Sequence, residues 1–371
     1  MEVEEDEFNT SANASQIWNS NVGQLNTIRV TMSVVLYVIC VVGLLGNTLV
    51  MYVLVRYSKL RNTADVFIFN MALADEVFLL GVPFFAHQFV ADEWPFGAVM
   101  CKLIYALDAN NQFASVYILA CMSIDRYLAI GHPIRSLGIR TRKVAAITNV
   151  GIWLASLVSI APFWVFSSLE IYPDGSQICE LQFPKGSKDL YWFTVYHFTL
   201  AFVLPLTVIT VCYLMVLHKL ATVVVPSESN AEKRTKKVAK MVLLVVVMFV
   251  VCWLPFYVVA LINITNDVRP TYAFLVAYFF SIGLGYANSC VNPIIYVLFS
   301  SKFRKRTLEA LSCRGSCCGT QVHPIDDVNA VAAGANGPGI NDNNYNRTGL
   351  RTGRTPISQP AQEMKNLPGQ M

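Results

Sequence analysis

The chain is 371 residues long, 54% hydrophobic and 14% charged, with a mean hydropathy of +0.47. That is too apolar and too poor in charge for a soluble domain, and it fits a polytopic membrane protein. The formal charge of +4 conceals a segregation of sign: Glu2, Glu4, Glu5, Asp6 and Glu7 crowd the N-terminus, while basic residues gather in alternate loops. The ten cysteines do not read as a disulfide scaffold. Cys40, Cys121, Cys212, Cys252 and Cys290 lie inside apolar segments and are most simply small buried hydrophobes.

Residues 1–28 are polar and acidic, and Asn9-Thr10-Ser11 and Asn13-Ala14-Ser15 match the N-glycosylation acceptor pattern. This tail is expected outside the cell. No cleavable signal is read, because the first apolar run starts near Val30 and is long enough to anchor the chain. Seven apolar segments fall at about 29–56, 64–91, 98–131, 145–167, 190–219, 237–264 and 271–299, each sufficient for a crossing of ~20 residues with some tilt. The expected fold is therefore an all-α membrane protein, a seven-transmembrane helix bundle over residues 29–300. Arg56, Lys59 and Arg61, then Arg135, Arg140, Arg142 and Lys143, then Lys219, Lys233, Arg234, Lys236, Lys237 and Lys240 share the side away from the N-terminus. The positive-inside rule makes that side cytoplasmic. The other loops, with Asp92, Glu93, Glu170, Asp174, Glu180 and Asp267, would lie outside.

The third crossing is the unusual one. Asp108, Gln112, Ser115, Leu119, Met122 and Arg126 recur at intervals of four and three, so on a helix they share one stripe. At 1.5 Å per residue, Asp108 and Arg126 stand roughly 27 Å apart, close to the ~30 Å of a hydrocarbon core. A charge at mid-membrane costs at least ~2.5–3.5 kcal/mol, so the stripe must face protein or water. This helix reads as the axis of a bundle with a ligand site at one end and a transducer site at the other. Pro83, Pro162, Pro205, Pro255 and Pro293 interrupt the later crossings. They are either tolerated as membrane helices tolerate proline or act as kinks that open a cavity and serve as hinges.

After the seventh crossing, residues 301–314 set Phe303, Leu308 and Leu311 among Lys302, Arg304, Lys305 and Arg306, a pattern for a short amphipathic helix on the inner membrane surface. Cys313, Cys317 and Cys318 are placed for palmitoylation. Residues 315–371 are rich in Gly, Asn, Pro and Thr and are expected to be disordered. An enzyme is not expected. His87, His132, His197 and His218 are scattered without ligand spacing, and no nucleophile, carboxylate dyad or metal cluster is legible. A transporter would carry an internal repeat, and none is found.

Gly46-Asn47, Leu73-Ala74-Asp75, Asp125-Arg126-Tyr127, Trp153, Cys252-Trp253-Leu254-Pro255 and Asn292-Pro293-Ile294-Ile295-Tyr296 occur in order, one set per crossing. On these the chain resembles the rhodopsin-like G-protein-coupled receptors over about residues 29–312. Within them it looks like the peptide receptors grouped around the somatostatin, opioid and melanin-concentrating hormone receptors. The last likeness rests on Leu107-Asp108-Ala109-Asn110-Asn111-Gln112-Phe113-Ala114-Ser115, Asp189-Leu190-Tyr191-Trp192-Phe193-Thr194 and Leu284-Gly285-Tyr286-Ala287-Asn288-Ser289-Cys290.

The resemblance implies a multi-pass plasma-membrane receptor. Cys101 and Cys179 would form the disulfide that staples the second outer loop, the alternative being two free thiols. An isolated carboxylate at Asp108 would shed its charge or pair with a cationic ligand, an arginine through two parallel hydrogen bonds. By resemblance Asp108 anchors the basic residue of a peptide; the alternative is an internal pair with Tyr286 or Gln112. Gln88, Gln112, Phe256, Tyr257, Tyr278 and Tyr286 are the further lining candidates. Tyr286 also stands where an opsin would carry its retinal-binding lysine, which argues against a light receptor. Asp75, with Asn111, Ser115, Asn288, Ser289 and Asn292, would hold either an allosteric sodium ion or a hydrated polar network. Arg126 would be held by Asp125, next to Tyr127, and released toward Tyr213 and Tyr296 as the sixth crossing swings about Pro255. Trp253 would couple cavity and network, with Pro293 kinking the seventh crossing. Thr235 replaces the glutamate that in many relatives locks the third helix to the sixth.

Implied partners are a cationic peptide outside, then a heterotrimeric G protein of the inhibitory class, with phospholipase C coupling also open, and arrestin, a receptor kinase and membrane lipid. No nucleic acid and no metal other than sodium is expected. A receptor for a cationic amine would also use Asp108. It is disfavoured because Tyr191-Trp192-Phe193 lacks the serine cluster of catechol receptors.

Overall fold

A bilayer offers the backbone no hydrogen-bond partners, so each apolar segment satisfies its N–H and C=O groups by folding as a helix. The computed structural model describes residues 2–173, 175–222, 230–265, 271–299 and 301–311. The side chains of 2–22, 220–221, 230–235, 301–302 and 311 lie outside the described set, which removes Asn9, Asn13 and Thr235 from it; Cys313, Cys317, Cys318 and the tail lie outside it altogether. Seven stretches are long and apolar enough to cross a membrane: Gly23–Ser58, Thr63–Ala91, Gly97–Gly131, Arg142–Phe166, Ser187–Lys219, Lys236–Thr265 and Tyr272–Phe299. They fall on the seven crossings read from the sequence.

Helix α1 (Glu2–Val53) runs into a π-helical turn, Leu54–Ser58, and stops at Lys59 with a left-handed φ of 51°. The second crossing is two helices, α2 (Thr63–Leu79) and α3 (Val82–Ala91), parted at Leu80 and Gly81. Helix α4 (Gly97–Gly131) is the third crossing, and the fourth is again divided, into α5 (Arg142–Ser159) and α6 (Ala161–Phe166). The hairpin of β1 (Ser167–Ile171) and β2 (Gln177–Leu181) follows, antiparallel with Leu169 opposite Cys179. The fifth crossing is α7 (Ser187–Phe198), a π-helical turn Thr199–Val203 and α8 (Leu204–Thr222); then come α9 (Asn230–Thr265), α10 (Tyr272–Phe299) and α11 (Ser301–Leu311).

Four of the five prolines sort into two kinds. Pro83 and Pro162 open α3 and α6, where a missing N–H costs nothing because the first turn has no acceptor for it. Pro255 and Pro293 sit inside α9 and α10, where each removes a bond to the carbonyl four residues earlier. Helix α11 turns Phe303 inward against Tyr296, ring centroids 6.3 Å apart. Leu308 remains 60% exposed, so the expected apolar face is shared between the bundle and the outside.

Helix α4 is the centre. From Ala109 to Val116 every residue is buried, which a helix achieves only when neighbours cover all its sides, and α4 packs on α2, α5, α6, α8 and α9. The face opposite the polar stripe is therefore covered by protein too. Close approach elsewhere depends on glycine: a Cβ at Gly43 would meet Leu79 Cδ1 at 2.6 Å and Cys290 Sγ at 3.1 Å, whereas one at Gly151 would meet nothing within 4 Å. Gly43→Val should overpack the junction of α1, α2 and α10 at a cost of about 1–3 kcal/mol, lowering the melting temperature by several degrees. Gly151→Ala should not lower it, and thermal unfolding of the two purified variants checks both.

Candidate functional site

At one end of the bundle Cys101 at the start of α4 is disulfide-bonded to Cys179 of β2, Cα atoms 5.6 Å apart. The loop is held a second time by Gln88 of α3, whose Nε2 donates to the Cys179 carbonyl at 3.1 Å while its Oε1 accepts from the Cys179 N–H at 2.9 Å. The side-chain amide thus pairs with β2 as a neighbouring strand would. Trp94 N–H donates to the Gln177 carbonyl at 2.6 Å and adds a third tie. Gln88, expected on the ligand side, is a clamp on the hairpin.

Two turns inward from Cys101, Asp108 has Tyr286 of α10 as its hydrogen-bonding neighbour, and its Oδ1 is buried with no partner. Tyr105, packed on Phe85 at 5.2 Å, has Tyr278, Asp108 and Glu180 as its electrostatic neighbours. A carboxylate of the hairpin and the carboxylate of the helix therefore flank one tyrosine. Glu170, bonded by Gln182, lies near Glu180; burial first and then the Glu170 charge raise the Glu180 carboxyl above its ordinary range. Among the described residues neither Glu170, Glu180 nor Asp108 has an ion-pair partner.

One turn below Asp108, Gln112 donates from Nε2 to Tyr257 Oη and accepts at Oε1 from His197 Nε2, both at 2.7 Å. Because an amide oxygen only accepts, His197 must carry its proton on Nε2. His197 is enclosed by Phe113, Phe163 and Tyr257, ring centroids 5.0 to 5.6 Å away. Tyr257 is 1% exposed. Phe256 leans on Trp253 at 6.1 Å, and Tyr278, at 38% exposure, is the open member of the lining set. Trp253 packs against Gly285, where a Cβ would come within 3.1 Å of the indole.

Deeper still, Asp75 accepts from Ser289 Oγ at 2.8 Å and Asn292 Nδ2 at 3.1 Å. Asn111 Nδ2 donates to Ser289 Oγ at 3.2 Å, and Ser115 Oγ donates to Asn111 Oδ1 at 3.3 Å. Asn111 is itself a hydrogen-bonding neighbour of Asp75, so Ser115 reaches Asp75 through Asn111. Asn288 is buried on the same helix, but the bonds to Asp75 run through its neighbours. Asn47 ties α1 to this network, donating to the carbonyls of Gly43 at 3.0 Å and Ser289 at 2.9 Å. Glu76, beside Asp75, accepts from Thr48 Oγ1 at 2.6 Å.

At the far end Asp125 is paired with Arg126, and its Oδ1 accepts from Arg140 Nε at 3.0 Å. Tyr127 meets His132 Nε2 at 3.2 Å through its hydroxyl. Tyr213 donates to the Ala239 carbonyl at 3.1 Å, and Tyr296 to Met71 Sδ at 3.3 Å, so neither hydroxyl is spent on Arg126 here. A cavity of about 690 Å³ opens at this end, reaching Arg126 and Tyr296 and rimmed by residues of α2, α9 and α11.

Seven membrane-crossing helices around a polar central one, a stapled hairpin at one end and a buried Asp–Arg pair at the other describe a receptor bundle. Residues 46–296 match the 7 transmembrane receptor (rhodopsin family), and the chain belongs to that family of receptors, which are not enzymes. Melanin-concentrating hormone receptor 1 of Homo sapiens is 43% identical over 289 residues, 76% of this chain and 82% of that protein. The receptor of the same name from Sus scrofa is 42% identical over the same length. Somatostatin receptor type 2 of Mus musculus is 38% identical over 329 residues, 83% of this chain and 89% of that protein.

Gln88→Leu keeps much of the volume and removes both bonds to Cys179. With two buried bonds lost at about 1 kcal/mol each, hydrogen exchange of the hairpin amides should quicken by tenfold or more. The Cys101–Cys179 bond should persist, as non-reducing peptide mapping would establish.

Proposed function

We propose that the chain is a plasma-membrane receptor for a cationic peptide resembling melanin-concentrating hormone, which signals through a heterotrimeric G protein of the inhibitory class. The observation that carries the reading is Asp108: a carboxylate oxygen buried without a partner, under a hairpin that adds Glu180 and Glu170, neither of them ion-paired among the described residues. An arginine or lysine of the peptide supplies the missing charge, and an arginine supplies it through two parallel hydrogen bonds. Identity of 43% with a melanin-concentrating hormone receptor and 38% with a somatostatin receptor supports a peptide of one of these kinds.

The N-terminus and the hairpin lie outside the cell, and the basic loops put the Arg126 end in the cytoplasm. Peptide binding favours the active bundle only by its differential affinity for that state. Arg126 then leaves Asp125 as α9 turns about Pro255, and the cavity widens into a groove for a partner helix. Arrestin and a receptor kinase follow at the same face, and Cys313, Cys317 and Cys318 carry lipid.

Asp75 is the site of an allosteric sodium ion. The side-chain oxygens of Asp75, Ser289, Asn111 and Ser115 make a set of hard donors around one carboxylate, the chemistry a small hard cation requires. In the geometry described, both Asp75 oxygens accept protein hydrogen bonds, so Ser289 and Asn292 must turn to admit the ion. The ion supplies a positive charge that keeps Asp75 ionised and the bundle inactive.

In cells expressing the chain, melanin-concentrating hormone should activate a G protein where somatostatin and opioid peptides do not; a response to either of the latter reassigns the ligand. Asp108→Asn should lower peptide potency about a hundredfold, the loss of a charge-assisted pair, with surface expression unchanged. Wild-type potency in that variant would refute the anchor. Asp75→Asn should abolish the effect of sodium on agonist affinity, measured by radioligand binding in sodium against a bulky organic cation.

A further inference from the structure

The cavity at the Arg126 end is strongly polarised. Among the described residues its walls carry Arg61, Arg126, Arg140, Arg142, Lys237 and Arg306 against one acid, Asp65. Asp125, paired to Arg126 and Arg140, adds a second. Six cations thus face two carboxylates, a formal excess of four positive charges. Arg61 and Arg142 are exposed at the rim, and among the described residues neither has a carboxylate partner. Arg306 is bonded to Ser58, a neutral acceptor that leaves its charge uncompensated. The deep wall is apolar and aromatic, with Ile68, Met241, Tyr296 and Phe303, so low-dielectric surface backs a cavity whose rim is open to water.

Like charges gathered on low-dielectric walls concentrate a field that draws in counter-ions. Four of the six are arginines other than Arg126, and guanidinium forks match the oxygens of phosphate in pairs. One carboxylate or halide would satisfy one fork, whereas several phosphates on a compact frame would satisfy several at once. A volume of about 690 Å³ lies within the range of small-ligand sites, roughly 300–1,000 Å³.

We infer that this cavity is a binding site for a compact polyphosphate anion, held by Arg61, Arg140, Arg142 and Arg306 around Arg126. The phosphates come either from a free inositol polyphosphate or from the headgroup of a phosphorylated inositol lipid, which offer the same chemistry. The site needs no protein partner, and the binding does not depend on which side of the membrane this end faces. If the function proposed above holds, an anion seated here fills the groove that the partner helix requires.

The test uses the purified full chain in nanodiscs of neutral lipid, titrated with inositol hexakisphosphate, with the melting temperature and equilibrium binding of the radiolabelled anion as readouts and no G protein present. A parallel sample carries phosphatidylinositol bisphosphate in the disc. Saturable binding in either arm is expected, weakened by salt and by about tenfold or more in the double variant Arg61→Gln, Arg142→Gln, whose two lost charge-assisted contacts are each worth ~1.5–3 kcal/mol. The arm that responds identifies the source of the phosphates. Both substituted side chains are exposed, and a wild-type melting temperature without anion verifies that the double variant is folded. Lys185→Gln with Lys188→Gln, at the other end of the bundle, should bind as wild type. Absence of saturable binding in both arms, binding retained in full by the arginine variant, or equal loss in the lysine control would each overturn the site.

Discussion

The bundle is organised by the polarity of its central helix. Helix α4 places Asp108, Asn110, Asn111, Gln112, Ser115, Asp125 and Arg126 across a membrane, and none can be left in hydrocarbon without cost. They do not all point one way. Asn110 Oδ1 accepts from Ser156 of α5 at 2.9 Å, Gln112 is bonded to α9 and α7, Asn111 meets Ser289 of α10, and Asp125 takes Arg140 from the loop before α5. Between them the polar side chains of α4 therefore engage α5, α7, α9, α10 and the loop before α5 and fix their heights. Hydrogen bonds between membrane helices are worth only about 0.6 kcal/mol on average, so the set decides register and arrangement more than stability. Stability rests on the packed apolar core that runs from Val50 of α1 through Leu119 of α4 to Phe249 of α9.

That arrangement makes the two ends chemically opposite. Around the hairpin, Asp108, Glu170 and Glu180 have no ion-pair partner among the described residues; around Arg126, Arg61 and Arg142 have none. A chain with a formal charge of only +4 carries both because the charges are sorted by end, and the long apolar helices between them keep the two sets from neutralising one another. Between the ends the polar contacts form a ladder rather than a channel. Asp108 is separated from the Gln112 bonds by one turn, and the Asp75 network hangs on Asn111, the residue preceding Gln112.

Much of this was legible in the sequence. The seven crossings follow from hydropathy alone, and the intervals of the α4 stripe located the helix that everything else surrounds. Partners that neither spacing nor the resemblance pairs were not legible, because they depend on rotamers and on contacts far apart in the chain. His197 stood among scattered histidines with no ligand spacing, yet it meets Gln112 across 85 positions. Gln88 meets Cys179 across 91, and an amide that imitates a strand looks in sequence like any polar residue near a pocket. Pro83 and Pro162 were marked as interruptions, but only the structure separates them, as helix starts, from Pro255 and Pro293, which lie inside continuous helices. Glu76 stands beside Asp75, which carries the motif, and a second carboxylate within an apolar crossing is itself a signal. The cationic cavity collects residues from the loop after α1, both ends of the loop between α4 and α5, α9 and α11, and no single stretch of sequence displays it.

The polar ladder also determines which helix can move. Helix α10 is tied to α2 through Asp75, to α4 through Asn111 and to α1 through Asn47, so displacing it would break buried bonds to three neighbours. Among the described residues, buried bonds reach α9 from Gln112 to Tyr257 on one side of Pro255 and from Tyr213 to the carbonyl of Ala239 on the other. Pro255 leaves the Val251 carbonyl without its helical donor, which loosens the helix between those two ties. Around these ties α9 packs through apolar and aromatic side chains, Phe249 and Trp253 among them, and apolar surfaces can slide where directed bonds cannot. With Trp253 resting on Gly285 of α10, a turn of α9 about Pro255 has a fixed helix to lever against. Its first hydrogen-bond cost is the tie that Gln112 makes one turn below Asp108.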